Sequence, residues 1–379
     1  MLNLAILAGS LGLILLGATF FTNGIEWLGK RLNLSEGAVG SILAAVGTAL
    51  PETLIPIIAI LFNRGEGSHE VGIGAILGAP FMLSTLAFFI VGLSVILFRR
   101  GLRRGKSDSP SFVEAANFVD STGDTASHGP IDPVGSGGTA GTVPATRPAV
   151  VRLFLSIDTS IMGRDLGFFL VVYSVAVATS LLPAGWIRPV IALALVAAYL
   201  YYAARTIQDG AGTGEHQLAP LYFARKTGNP ALSLILPQVL LAIAGIALAA
   251  NLFVNALGSL STAFGIPALV LSLFIAPIAT ELPEKFNSVI WIREGKDTLA
   301  LGNITGAMVF QSSLIPALGI AFTPWALSPV AAASAILAIL SAGMVYLSLR
   351  RTGRLHSGTL LFSGAFYVAF ILITATGVL

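Results

Sequence analysis

Cysteine is absent from the 379 residues and charge is scarce, with Lys, Arg, Asp and Glu making up 10% of the chain against roughly 25% in a soluble globular domain. The first absence excludes disulfides and thiolate metal sites. The second, with 55% hydrophobic residues and a mean hydropathy of +0.87, excludes a soluble domain and leaves a polytopic membrane protein. Histidine is nearly as sparse: His69, His128, His216 and His356 all fall in polar connections. No His/Cys metal centre can therefore be built inside the apolar runs, and no resident cofactor is expected. The pI of 9.3 raises nucleic acid as a partner. The basic residues, however, lie between apolar runs, where they read as topology signals, so no nucleic-acid role is expected and the lipid bilayer is the surrounding.

Runs long enough to cross about 30 Å of hydrocarbon predict ten transmembrane helices, near 3–29, 36–62, 71–98, 165–182, 187–207, 231–256, 266–292, 298–322, 325–349 and 357–378. Punctuation falls between them, as at Leu182-Pro183-Ala184-Gly185 and Thr323-Pro324. The first run has no Lys or Arg before Lys30 and no small-residue cleavage site, which makes it a first span rather than a signal peptide. Residues 103–150, rich in Gly, Ser, Thr, Asp and Pro, read as a disordered cytoplasmic loop. Asp108, Asp120, Asp124 and Asp132 within it lack the spacing of a calcium-binding loop. With the N-terminus outside, 18 of the 21 Lys and Arg fall on one side, Arg64 and Arg188 on the other, and Lys285 inside a span. That asymmetry fits a multi-pass protein of the plasma (inner) membrane.

Inside the seventh run stands Thr280-Glu281-Leu282-Pro283-Glu284-Lys285, and inside the second Gly47-Thr48-Ala49-Leu50-Pro51-Glu52. Both carry Thr-x-Leu-Pro-Glu. Their glutamates are 232 positions apart, the interval that also pairs Phe21-Thr22-Asn23 with Phe253-Val254-Asn255. The chain is thus internally duplicated, and the copies lie five spans apart, an odd number, which inverts one against the other. The expected architecture is all-α, with two inverted five-helix repeats of the kind that builds many secondary transporters. Along the chain, 1–102 holds spans 1–3 of the first repeat, 151–229 holds spans 4 and 5 with their connection, and 230–379 is the second repeat.

Proline at 51 and 283 removes a backbone donor and frees the carbonyls of Gly47 and Ala279. With the carboxylates of Glu52 and Glu284 and the hydroxyls of Thr48 and Thr280, this makes an all-oxygen site suited to Ca²⁺, Na⁺ or H⁺. The competing reading is a proline kink whose glutamates are satisfied by neighbouring helices. Glu52 and Glu284 are expected to converge near the membrane midplane. Glu281 shares a helical face with Glu284 and Lys285. Either Glu281–Lys285 is an internal ion pair, or Lys285 replaces a bound cation or tunes the glutamates' proton affinity. Downstream come the glycine pairs Gly74/Gly78 and Gly302/Gly306, read as packing spans 3 on 2 and 8 on 7. Asn303, Thr305 and Gln311 make span 8 the more polar of the two.

These motifs resemble the cation/calcium exchanger superfamily, the sodium/calcium-exchanger-like membrane proteins, whose inverted repeats carry Gly-Thr-Ser-Leu-Pro-Glu. The resemblance covers nearly the whole chain outside 103–150. It implies that Glu52 and Glu284 coordinate Ca²⁺ and that Thr48 and Thr280 contribute oxygens. Departures stand at Ala49 and Glu281, where the signature has serine. Further departures are GAILGAP and GNITGAM for Gly-Asn-x-x-Gly-Ser-Asn, and Leu83 and Gln311 for a later polar ligand. Oxygens that sodium-coupled members use are mostly missing, which points to protons on Glu52, Glu281 or Glu284.

The expected function is secondary antiport of a cation, foremost Ca²⁺, against Na⁺ or H⁺, with inorganic cations as the partners. A monovalent cation/proton antiporter on the same scaffold is the rival. An intramembrane enzyme lacks a membrane histidine and any G-x-S-x-G. Flux without an opposing gradient would mark a passive channel.

Overall fold

The computed structural model describes residues 2–31, 50–63, 65, 67–104, 154–208 and 218–376. The helices are α1 (Leu2–Arg31), α2 (Leu50–Ile57, continued by a π-turn at Ile58–Phe62) and α3 (Ser68–Met82, a π-turn at Leu83–Ala87, then Phe88–Arg104). Then come α4 (Thr159–Ala178), α5 (Ile187–Gln208) and α6 (Leu232–Phe264). The seventh is in two pieces, α7a (Ala268–Thr280) and α7b (Leu282–Arg293). Last are α8 (Asp297–Phe322), α9 (Pro329–Thr352) and α10 (Ser357–Ala375). Among the described residues eight helices are long and apolar enough to cross a membrane, and the shorter apolar helices Glu52–Phe62 and Ala268–Ile278 stand where spans 2 and 7 are expected. Residues 32–49, with the first part of span 2, and the expected loop beyond Arg104 lie outside the described residues.

α3 runs from Ser68 to Arg104 rather than 71–98, so residues 103 and 104 of the expected loop are helical, and three other boundaries differ from expectation for a local reason. α4 starts at Thr159, not at 165, because Asp158 caps it by accepting from Ser160 N and Ile161 N at 2.9 and 3.2 Å. α6 runs on to Phe264 instead of stopping near 256. Its polar last turns are satisfied within the helix, Ser259 Oγ donating to Asn255 O at 2.9 Å, and Gly265 at φ 66° ends it. α9 starts at Pro329 rather than 325, with Ser328 as its cap. The displaced residues hold Trp325, fully buried at φ 45°, whose indole N–H donates to Ala176 O at 2.9 Å.

The inversion of the repeats is visible in helix direction. A Cβ on Gly17 would lie 2.5 Å from Ile246 and one on Gly24 2.7 Å from Val239. Position rises on α1 as it falls on α6, so these equivalent helices run antiparallel at close range. Ile14 and Ile246, Phe21 and Phe253, and Ile25 and Leu257 are matched pairs by the repeat interval, and all are buried. The repeated asparagines hold connections. Asn255 and Asn251 each accept from Asn63 Nδ2 at 2.9 Å beyond the end of α2. Asn23 Oδ1 accepts from Tyr222 N at 3.1 Å, ahead of α6, and from Gln238 Nε2 at 3.0 Å within it.

The apolar interior falls into two clusters. One is built mainly from α1, α2, α6 and part of α7a, the other from α3, α4, α5, α8, α9 and α10 with Leu269 and Leu273 of α7a and Ile292 of α7b. α3 belongs to both, through Val71 and Ala75 on one side and Ile76 and Leu77 on the other. A two-residue antiparallel pairing of Phe154–Leu155 with Leu355–His356 ties the start of the α4 segment to the α9–α10 turn.

Candidate functional site

The seventh span breaks where its prolines fall. Pro277 lies inside α7a and Pro283 in the first turn of α7b. Neither can donate, so the carbonyls of Leu273 and Ala279 lose their usual partners. Glu281 is the joint, closing α7a and opening α7b with φ −96° and ψ 4°, in the sparsely populated bridge region. Its backbone still links the halves: Glu281 N donates to Pro277 O at 3.1 Å and Lys285 N to Glu281 O at 3.2 Å. In α2, Pro56 likewise leaves the carbonyl of Glu52 without its i+4 donor, a second effect that the reading from Pro51 alone misses.

At this joint the side chains of Thr280, Glu281 and Lys285 are 3%, 1% and 6% exposed. Lys285 Nζ stands 3.4 Å from Glu281 Oε2, an i,i+4 ion pair. It also lies 3.0 Å from the thioether sulfur of Met82 on α3. Thr280 Oγ1 donates to Ala276 O at 3.0 Å, which leaves its lone pairs able to accept or to ligate. Glu52, in the first turn of α2, is buried at 7%, and α2 packs against α3, α6 and α7a. On α8, Gln311 is buried and its Oε1 has no hydrogen-bond partner among the described residues, while Asn303 is half-buried. Thr48 lies outside the described residues, as does the side chain of Glu284, whose backbone is in the first turn of α7b. The expected meeting of Glu52 with Glu284 therefore falls outside them too. No three His, Asp or Glu side chains converge among the described residues, so a cation held here would take other ligands from hydroxyls, amides and freed carbonyls.

The glycine pair of α3 corrects one expectation. A Cβ on Gly74 would stand 2.6 Å from Leu269 O, and one on Gly78 2.5 Å from Leu273 O and 2.7 Å from Pro277 Cγ. These glycines admit α7a of the other repeat, not α2. Ser272 Oγ donates to Val71 O at 2.6 Å in the same seam. At Gly302 and Gly306 a Cβ would meet nothing within 4 Å among the described residues.

Sequence reasoning passed over Asp165. It lies on α4, 2% exposed, and joins three helices. Tyr202 OH of α5 donates to Oδ1 at 2.6 Å and Thr305 Oγ1 of α8 to Oδ2 at 2.8 Å, with Arg164 Nε 3.4 Å from Oδ1. A carboxylate at the edge of an apolar run was the one available signal. Its partners, 37 and 140 positions away, could not be read from spacing.

Two inverted repeats, a span broken at a buried Glu–Lys pair and a second buried glutamate at the start of α2 define a polytopic membrane protein of the secondary-transporter type. The chain matches the sodium/calcium exchanger protein family over residues 2–117 and 234–376, and it belongs to that family. An uncharacterized membrane protein of Methanocaldococcus jannaschii is 23% identical over 301 residues, covering 79% of this chain and 76% of its own. Among solved structures, the H⁺/Ca²⁺ exchanger CAX aligns with a TM-score of 0.64 at 15% identity, covering 98% of this chain and 81% of its own. The sodium-calcium exchanger NCX_Mj aligns at 0.53 and 17% identity, covering 98% of each. At such identities these two likenesses establish the fold.

Proposed function

We propose that the chain is a secondary antiporter that moves Ca²⁺ across the membrane against Na⁺ or H⁺ by alternating access. The observation that carries this reading is the burial of Glu52 and Glu281, at 7% and 1% exposure, at the duplicated motif of an otherwise apolar bundle. Ionisable groups in that setting are costly and mark ion pathways. Glu52, Glu284, Thr48, Thr280 and Glu281 would supply ligands, with Lys285, Gln311 and Asn303 shaping the site. Because Lys285 offsets Glu281, the signature glutamates leave two negative charges, which balance one Ca²⁺ or two protons. Membership of an exchanger family supports the reading, as does a fold shared with proteins described as H⁺/Ca²⁺ and sodium-calcium exchangers. The charge bias of the connections supports insertion in the plasma membrane with the N-terminus outside.

Proteoliposomes with Na⁺ and pH gradients imposed separately test it. Ca²⁺ flux driven by at least one of the two gradients is expected. Na⁺/H⁺ exchange with no movement of Ca²⁺ would replace it with the monovalent reading on the same scaffold, and Ca²⁺ leak indifferent to both gradients would replace it with a channel.

A further inference from the structure

The two copies of the motif differ in charge in a specific way. At the positions of Glu281 and Lys285 the first copy has Ala49 and Thr53. The second copy therefore carries a carboxylate and an ammonium that the first lacks, and these meet each other at 3.4 Å, buried in the joint of the broken span. A salt bridge that only held the joint would be expected to use the ammonium's three donors on oxygen. Among the described residues, Lys285 Nζ makes hydrogen bonds to Glu281 Oε2 and to the sulfur of Met82. Thioether sulfur is a weak acceptor. The ammonium is thus placed against an added carboxylate and beside a soft, apolar wall, where an extra carboxylate alone would have gathered a further small cation.

We propose that Lys285 is a tethered monovalent cation: its ammonium fills the cation position that Glu281 creates, and it is the residue that keeps Na⁺ out of this site. The inference rests on the antiporter reading above and narrows it, since a chain carrying its own monovalent cation couples Ca²⁺ movement to protons rather than to Na⁺. Removing the side chain down to Ala leaves Glu281 facing a space that a Na⁺ ion and its water can enter. Arginine at this position keeps the charge and keeps Na⁺ out.

The experiment is thermal unfolding of the purified full chain in detergent, in NaCl and in choline chloride at equal ionic strength. A ligand that binds only the folded state raises the midpoint by mass action. Wild type and Lys285→Arg are expected to show no Na⁺-specific shift. Lys285→Ala is expected to show a saturable rise of about 3 °C or more, which Glu281→Gln in the same chain abolishes. A Na⁺-specific shift in the wild type, or none in a folded Lys285→Ala, overturns the proposal. If Lys285→Ala yields no folded protein, wild-type proteoliposomes decide: Ca²⁺ uptake driven by a Na⁺ gradient at clamped pH overturns it, and uptake driven by a pH gradient alone upholds it. A Na⁺ shift confined to Lys285→Ala with no Ca²⁺ flux in the wild type under any gradient would keep the lysine assignment and reject the antiporter reading instead.

Discussion

Gly78 of α3 approaches Leu273 of α7a so closely that a Cβ on the glycine would stand 2.5 Å from the Leu273 carbonyl oxygen. That carbonyl is the one the Pro277 ring deprives of its donor, so a backbone without a side chain fits where a weakened helix presents its oxygen. Gly78→Ala should push the two repeats apart along this seam and cost about 1–3 kcal/mol. A lowered thermal midpoint in detergent is the readout. An unchanged midpoint would mean that α7a can shift freely, and that the seam does not fix its position.

Much of the architecture was legible because lipid demands long apolar runs and closed backbone hydrogen bonding. Among the described residues eight of the ten runs are helices long enough to cross and the other two hold the shorter helices Glu52–Phe62 and Ala268–Ile278, and Pro283 beside Glu281 announced the break in α7. What failed were polar helix ends. Thr159, Ser160 and Arg164 look like a connection until Asp158 is seen capping them. Ser259 and Thr262 look like a loop until their side chains are seen bonded within α6. The glycine spacing foretold a close approach but not its partner, since small-xxx-small carries no address. Lys285 was legible as a partner of Glu281 from i,i+4 spacing. Its contact with Met82, 203 positions earlier, depends on how α3 crosses α7 and has no local signature.

Asp165 offers a test of packing separate from the candidate site. Its carboxylate accepts from Tyr202 and Thr305 at 2.6 and 2.8 Å, so Asp165→Asn replaces an acceptor-only group by one that must place an NH₂ against donors. A loss of about 2–4 kcal/mol is expected. Tyr202→Phe and Thr305→Val should each cost about 0.5–1.5 kcal/mol and should add little once Asp165 is Asn, because the network is shared. Additive effects in unfolding midpoints would show that the three helices are not coupled through this carboxylate.

Glu52→Gln and Glu284→Gln keep shape and hydrogen-bonding capacity while removing the charge that a divalent cation needs. Each variant should fold with a midpoint close to wild type and should lose Ca²⁺ exchange by a factor of at least roughly 100 in proteoliposomes, on the scale of a lost charged ligand worth about 3 kcal/mol. Undiminished flux in both would remove these glutamates from the site.

The Glu281–Lys285 pair should show the signature of a buried ion pair in a double-mutant cycle. Each partner is nearly inaccessible, at 1% and 6% exposure, so deleting one strands the other in the apolar interior. That costs about 3–5 kcal/mol in comparable buried pairs, whereas replacing both by neutral groups of similar shape is often close to neutral. In Na⁺-free buffer, Glu281→Gln and Lys285→Met should each lower the unfolding midpoint clearly, and the double variant should recover most of the loss. The coupling measures the pair itself, because each residue's effect on packing alone appears equally on both edges of the cycle. Additive losses would place the ammonium in contact with a further anionic group besides Glu281. Glu284, one residue away in sequence, would then be the first to examine, by repeating the cycle with Glu284→Gln in place of Glu281→Gln.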